Sequence, residues 1–200
     1  MIIVGICGRS GSGKSTVGKI IKNKYPAYID CDNVSREITK KNSPCLLELV
    51  DYFGNEILLS DGNLNRAKLA SIAFGVDEKL AVLNKITHKY ITEDIEKRIL
   101  NFKNDFEKFV FLDAPTLFES GIHKRCDFIL SVIADDTVLL ERIKKRDKKS
   151  DEDAKKRLSS QYSNDFLIRN SDFVIENNGT LEQLEEKTEN FLKTLEETYE

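Results

Sequence analysis

The chain has few of the residues that build disulfide frameworks and zinc sites. Its 200 residues include four cysteines and two histidines, and no two cysteines form a C-x-x-C pair. This scatter argues against both kinds of site and favours reduced thiols in a cytosolic protein. No apolar run approaches the roughly twenty residues that span a bilayer, and no signal-like leader precedes the apolar run at Ile2. We therefore expect a cytoplasmic protein with no membrane partner.

An excess of positive charge is also absent. The formal net charge is −3, which argues against a nucleic-acid partner. The charges are unevenly distributed, because basic residues outnumber acidic ones from Arg142 to Arg157 and acidic residues dominate from Thr180 to Glu200. A basic stretch in an acidic chain favours a bound anion, although a solvated helix face explains either stretch taken alone. Nothing in the composition indicates an obligate protein partner.

Short apolar runs of strand length recur along the chain, separated by segments of helix length. They are rich in Ile, Val and Phe, and they fall at residues 2–7, 27–30, 109–113, 128–134 and 173–176. Nearly continuous apolar strands alternating with helices are typical of a parallel sheet with crossover helices. The pattern therefore predicts an α/β fold with a five-stranded parallel sheet flanked by helices.

Two longer segments interrupt this alternation. We interpret residues 41–104 as a helical insert that binds an acceptor, and residues 136–169 as a helical lid. The nucleotide-binding core then comprises residues 1–40, 105–135 and 170–200. Five apolar side chains are expected to form the insert's own core: Leu69, Ile72, Phe74, Leu80 and Leu83.

Glycine is scarce, yet three of the ten glycines fall within one short stretch. Residues 8–15 read GRSGSGKS and satisfy the pattern G-x-x-x-x-G-K-[ST], with a predicted strand before the motif and a helix after it. Glycines permit positive φ, so that successive backbone N–H groups can point towards a phosphate. The following helix adds the partial positive charge of its N-terminus.

The motif assigns a role to each of its polar residues. Lys14 is expected to reach the β- and γ-phosphates of a nucleoside triphosphate, and the Ser15 hydroxyl to ligate Mg²⁺. The full set of expected phosphate contacts is Gly8, Gly11, Ser12, Gly13, Lys14, Ser15 and Thr16. The alternative is a glycine-rich turn whose lysine is merely exposed.

Other features narrow the class of phosphate-loop protein. Asn84-Lys85-Ile86-Thr87 lacks the acidic fourth residue of a guanine-reading N-K-x-D motif, and Asp113-Ala114-Pro115 lacks the glycine of a GTPase switch. The chain is short for a motor or a transporter ATPase. A small-molecule kinase fits its length, with Asp113 as a further magnesium ligand through water.

A second candidate group follows the second predicted strand, in the order Asp30-Cys31-Asp32. Ligands of open α/β sheets lie beyond the carboxyl ends of the strands. We therefore expect Asp32 where a γ-phosphate meets an acceptor hydroxyl, with Asp30 facing the same way. The alternative is that Asp32 only caps the helix that follows it.

Further motifs are spread along the chain. They are Asp30-Cys31-Asp32 with Arg36, Phe53-Gly54, Asp61-Gly62-Asn63-Leu64-Asn65-Arg66-Ala67-Lys68-Leu69 with Phe74, Leu83-Asn84 with His88, Pro115-Thr116-Leu117-Phe118-Glu119, the series Arg142, Arg146, Arg157 and Gln161, and Asp172 to Gly179. On these residues the chain resembles the dephospho-coenzyme A kinase family over nearly its whole length. It departs from that pattern at Arg9 and Ser10, where the family usually has Gly-Ile, at Lys89, where it has proline, and at Thr116, where it has leucine.

The resemblance implies a specific reaction and assigns the remaining site residues. The γ-phosphoryl group of ATP would pass to the ribose 3′-hydroxyl of dephospho-CoA with Mg²⁺ bound, giving CoA and ADP in the last step of CoA biosynthesis. The implied catalytic residues are Asp32, Lys14 and Arg142. The implied nucleotide contacts outside the loop are Arg146 and Asn177, and the implied acceptor contacts are Asp32, Arg36, Arg66 and His88.

Several alternatives remain open from the residues alone. Arg142 and Arg146 share a helix face at i, i+4 and suit an ordinary surface pair. His88 suits a surface histidine, and Asn177 a turn residue. For the whole protein, the rivals are a kinase of the same architecture with another small-molecule acceptor, and a regulator that binds ATP without catalysis. Asp32 separates a kinase from such a regulator, because a protein that only switches on ATP binding needs no carboxylate at the γ-phosphate.

Overall fold

The computed structural model describes residues 1–199, which form five strands and nine α-helices. The strands are β1 (Ile2–Gly8), β2 (Tyr28–Asp30), β3 (Phe109–Asp113), β4 (Phe128–Ile133) and β5 (Phe173–Glu176). The helices are α1 (Lys14–Lys24), α2 (Cys31–Glu37), α3 (Pro44–Phe53), α4 (Arg66–Ala73), α5 (Asp77–Asn104), α6 (Asp136–Asp147), α7 (Asp151–Ser159), α8 (Asn164–Arg169) and α9 (Leu181–Thr198). None of the helices in this part of the chain is long and apolar enough to cross a bilayer.

The strands form one sheet in the order β2-β3-β1-β4-β5. β1 pairs in parallel with both β3 and β4, so that Ile6 lies opposite Asp113 on one side and Leu130 on the other. The predicted five-stranded parallel sheet flanked by helices is confirmed. Because β1 is the middle strand, the loop that follows it leaves the sheet between two neighbouring strands.

Residues 1–28 and the chain from Phe106 onward form one compact unit. Its core lies between the sheet and helices α1 and α9. β1 contributes Val4 and Ile6, α1 contributes Ile21, and α9 contributes Leu192, and these side chains are at most 1% exposed. Burial of this apolar surface fixes β1 and α1, which are the two elements that flank the glycine-rich loop.

Residues 29–105 form a second compact unit. Helices α3, α4 and α5 enclose a core that includes Leu49 and Leu69, with Ile72 and Leu83 packed against it. The prediction that Phe74 belongs to this core is wrong, because its side chain is 64% exposed. Helix α4 ends at Ala73 and Phe74 has extended backbone angles, so its side chain leaves the helix face that packs. The domain boundaries expected from the sequence stay predictions.

Replacing Leu49 by alanine should destabilise the helical unit by about 2–5 kcal/mol, because it leaves a cavity in a closed core. Leu47 on the same helix is 55% exposed, so Leu47→Ala should change the free energy of unfolding by less than about 0.5 kcal/mol. Urea denaturation of both variants checks this. Equal losses of stability would contradict the assignment of Leu49 to the core.

Candidate phosphate-binding site

The glycine-rich loop joins the end of β1 to the start of α1. Gly11 and Gly13 have φ values of +85° and +97°, a region that side-chain-bearing residues rarely adopt. A Cβ atom on Gly8 would lie 2.4 Å from the carbonyl oxygen of Val132. The chain therefore turns tightly against β4, and these glycines are required by geometry.

Hydrogen-bond donors of this loop are available to an anion. Gly13 is the N-cap of α1 and has no side chain to bind the N–H groups of the first helical turn. The Ser12 hydroxyl is fully buried and has no hydrogen-bond partner among residues 1–199. Buried polar groups are normally paired, so an unpaired hydroxyl beside a helix N-terminus fits a phosphate.

Lys14 is held at the base of the loop by a carboxylate. Its ammonium forms an ion pair with Asp113 at the end of β3, and the two side chains are only 13% and 12% exposed. The Tyr28 hydroxyl donates a hydrogen bond of 2.5 Å to the other oxygen of Asp113. Sequence reasoning missed Tyr28. The available signal was its polar hydroxyl group in the short strand β2. The three groups fix a positive charge beside the loop.

Arg142 and Asn177 both bind the backbone of the loop. One guanidinium nitrogen of Arg142 donates to the carbonyl oxygens of Gly11 and Asn177, at 3.3 and 2.9 Å. The Asn177 side chain donates to the carbonyl oxygen of Ser12 at 2.8 Å. The structure thus brings both predicted residues to the loop, where they hold its conformation. The predicted contacts of Arg142 with the transferring phosphate and of Asn177 with the nucleotide stay predictions.

Arg146 is not among the residues gathered at Lys14. Its guanidinium binds both oxygens of Asp147, at 2.7 and 2.9 Å. Arg157 donates to the same carboxylate at 2.9 Å. The hydrogen bond from Arg146 lowers the pKa of Asp147, so this carboxylate stays charged at neutral pH.

The acceptor candidates lie in the second unit. The Asp30 side chain accepts a hydrogen bond of 2.9 Å from the Asn33 N–H and is the N-cap of α2. Asp32 lies in the first turn of that helix and is exposed. The capping interpretation therefore applies to Asp30, and it does not account for a carboxylate at Asp32.

The other acceptor candidates stand on three helices of the second unit. Arg66 donates a hydrogen bond of 2.7 Å to the Thr39 hydroxyl, just beyond α2, which brings it near the helix that carries Asp32 and Arg36. Arg36 is exposed in the last turn of α2, and His88 is exposed on α5. The structure thus groups Arg66 with the end of α2 and places His88 on a different helix.

The donor set of the loop suits magnesium bound together with a nucleotide. No cluster of three or more His, Cys, Asp or Glu side chains that could hold a metal occurs in the described part of the chain. Ser15 and Asp113 offer oxygen atoms, the ligand type that Mg²⁺ prefers, and phosphate oxygens and water would complete its coordination. The residues therefore fit an ion that arrives with the phosphates.

The thiol of Cys7 lies directly before the loop. Burial raises the pKa of this thiol to about 11, although a hydrogen bond with Ser131 acts in the opposite direction. The group is therefore protonated at neutral pH and unsuited to nucleophilic attack. The loop thus offers its anion-binding donors and no covalent nucleophile at this position.

A phosphate loop between the middle strand of a five-stranded parallel sheet and its first helix defines the class of P-loop kinases and related nucleotide-binding proteins. The dephospho-CoA kinase family profile matches residues 2–183. The dephospho-CoA kinase of Fusobacterium nucleatum is 43% identical over 195 residues, which are 98% of this chain and 99% of that relative. The Listeria monocytogenes enzyme of the same name is 38% identical over 95% of each chain. The chain belongs to the dephospho-CoA kinase family, as the sequence resemblance predicted.

Solved structures agree on the fold. A Thermus thermophilus protein is 29% identical with a TM-score of 0.80, covering 97% of each chain. Dephospho-CoA kinase from Campylobacter jejuni is 24% identical with a TM-score of 0.73, covering 96% of each chain. Shikimate kinase from Acinetobacter baumannii is 12% identical with a TM-score of 0.55, covering 99% of this chain and 94% of that one. Because the last two are so low in identity, they support the fold alone.

The bond from Asn177 to the loop leads to a testable expectation. Asn177→Ala should destabilise the protein by about 1–3 kcal/mol, because the buried carbonyl of Ser12 loses its donor. ATP affinity should fall with it, since the loop conformation is no longer held. Thermal unfolding and calorimetric titration with ATP check both parts. Unchanged stability and affinity would show that this hydrogen bond does not hold the loop.

Proposed function

We propose that this chain transfers the γ-phosphoryl group of ATP to the ribose 3′-hydroxyl of dephospho-CoA, giving CoA and ADP. Family membership supports the substrate pair. The observation that carries the kinase chemistry is the loop itself. It combines a buried Ser12 hydroxyl that has no partner in the described part of the chain, a helix N-terminus without a side-chain cap and the fixed ammonium of Lys14.

Phosphoryl transfer depends mainly on positioning and on stabilising the charge of the transferring group. Lys14 would bind the β- and γ-phosphates, and the loop N–H groups would hold the remaining oxygens. Magnesium, when bound, would neutralise phosphate charge, with Ser15 as its ligand and Asp113 contacting it through water. Arg142 would add positive charge where the transition state develops negative charge, while it keeps the loop in shape.

Asp32 is the proposed general base for the ribose hydroxyl. Asp32 is exposed in the first turn of α2, just beyond the carboxyl end of β2, where open α/β sheets bind their ligands. It would orient the 3′-hydroxyl and accept its proton as the bond to phosphorus forms. Arg36, Arg66 and His88 are proposed to bind the acceptor, and Arg146 and Asn177 the nucleotide. The cytoplasmic location, and action without nucleic acid, membrane or an obligate protein partner, stay predictions.

A panel of acceptors tests the proposal. ADP release would be measured with ATP and Mg²⁺ in the presence of dephospho-CoA, nucleosides, nucleoside monophosphates or shikimate. We expect turnover that depends on dephospho-CoA and a much lower rate with the other acceptors. Turnover with another acceptor and none with dephospho-CoA would assign the chain to a different kinase reaction. ATP binding without turnover on any acceptor would indicate a regulator.

A further inference from the structure

Arg9 is a buried charge inside the phosphate loop. Its side chain is 7% exposed, and its guanidinium forms an ion pair with Asp136 at the first residue of α6. A second guanidinium nitrogen approaches the carbonyl oxygen of Leu158 in the last turn of α7, at 3.4 Å. The Nε atom has no hydrogen-bond partner among residues 1–199. The charge is thus stabilised by a carboxylate at the start of the predicted lid and by a carbonyl oxygen near the end of α7.

Ser10 forms the second half of the same connection. Its N–H donates to the side-chain oxygen of Gln161 at 3.0 Å. Its hydroxyl accepts a hydrogen bond of 2.9 Å from Arg157 on α7. Arg9 and Ser10 are also the two loop positions at which the sequence departs from the usual Gly-Ile pair. Neither glycine nor isoleucine could make the side-chain bonds of Arg9 and Ser10, whereas the bond from the Ser10 N–H to Gln161 uses the backbone and does not depend on the side chain.

The packing of α7 explains why such bonds matter. Ala154 and Leu158 pack against Leu139 and Ile143 of α6, in a small cluster separate from the core of the sheet. α7 has no other buried side chains, so apolar contact alone provides a weak anchor. The polar bonds to residues 9 and 10 join the end of this helix directly to the phosphate loop.

We propose that Arg9 is a positioning residue. It binds Asp136 at the start of α6 and Leu158 near the end of α7, holds these two packed helices against the phosphate loop, and so keeps Arg157 of α7 beside Ser10. This inference rests on the proposed function, since it adds Arg157 to the groups that would bind ATP. Arg9 acts through the lid, and Ser10 supports it by binding Arg157 and Gln161.

The expected kinetic signature is a change in KM rather than in kcat. Without the Arg9 bonds, α7 occupies its position for a smaller fraction of the time. If that fraction falls to about a tenth, the apparent affinity for ATP falls about tenfold. Once ATP is bound and the lid is in place, the transfer step uses the same groups, so kcat should stay within about twofold.

Arg9→Met tests this, because methionine fills much of the same space without the charge. Arg169→Met is the control, since Arg169 is an exposed arginine on α8 and outside the proposed site. We would measure kcat and KM for ATP with dephospho-CoA, thermal unfolding, and hydrogen exchange of residues 151–161 without nucleotide. Arg9→Lys should lie between wild type and Arg9→Met, because lysine keeps the ion pair with Asp136 and loses the fork that also reaches Leu158.

Faster exchange in residues 151–161 of Arg9→Met, with KM for ATP about tenfold higher and kcat nearly unchanged, would support the proposal. Wild-type exchange and KM would overturn it. So would a fall in kcat and melting temperature with exchange of this segment unchanged, which would indicate a general role in stability. If Arg9→Met does not fold, Asp136→Asn decides by the same readouts, because it removes the negative charge that pairs with Arg9 at an exposed position. Absence of phosphate transfer by the wild-type protein would refute the proposed function, while the exchange comparison still tests the lid contact.

Discussion

Lys14→Ala should lower kcat by about 10³, because the phosphates lose the ammonium that is fixed beside them at the start of α1. ATP should also bind more weakly. The ammonium is fixed beside the loop by Asp113, which in turn is held by Tyr28. An alanine side chain leaves negative charge on both the phosphates and Asp113 without this neutralising partner.

Single-turnover transfer and calorimetric ATP titration measure the two effects of Lys14→Ala. Lys19→Ala is the matched control, because Lys19 is exposed on the same helix. A melting temperature close to that of the wild type would show that the loss is chemical. Normal turnover together with unchanged ATP affinity would contradict the phosphate-loop assignment.

Asp32→Asn should slow phosphoryl transfer by about 10²–10⁴ while both substrates remain bound, since a general base contributes a factor of that size. The loose transition state of phosphoryl transfer leaves the hydroxyl proton in place until late, so we expect the lower part of this range. ATP affinity should not fall, because removal of a carboxylate lowers the repulsion of the γ-phosphate.

The helix that carries Asp32 makes this substitution a clean test. Its N-cap is Asp30, whose bond to Asn33 is untouched by the change. Asp51→Asn, at an exposed position on α3, controls for the loss of one negative charge. Single-turnover phosphorylation of dephospho-CoA gives the rate. A wild-type rate for Asp32→Asn would remove the assignment of a general base.

The sheet and the loop were predictable because their signals are local. The run from Ile2 and the motif up to Ser15 are contiguous, and strand length, glycine spacing and the lysine can be read within one window. The exposure of Phe74 escaped prediction, because a helical repeat does not reveal that the helix ends one residue earlier.

The connections within the site were not predictable from single segments. Tyr28 and Asp113 are 85 residues apart, and Arg9 and Asp136 are 127 residues apart. Such pairs depend on which strands become neighbours, and the spacing of residues along the chain does not encode that order. Sequence reasoning therefore named Arg142 and Asn177 as candidate site residues but missed the backbone bonds through which both hold the loop.

The most direct test of the proposed reaction is the position of the phosphate in the product. The protein would be incubated with ATP, Mg²⁺ and dephospho-CoA, and the product examined by phosphorus NMR and by comparison with authentic CoA in chromatography. We predict a new phosphomonoester on the ribose 3′-oxygen, formed in equal amount with ADP. Release of ADP with dephospho-CoA unchanged, or a phosphate at any other oxygen, would contradict the proposed function.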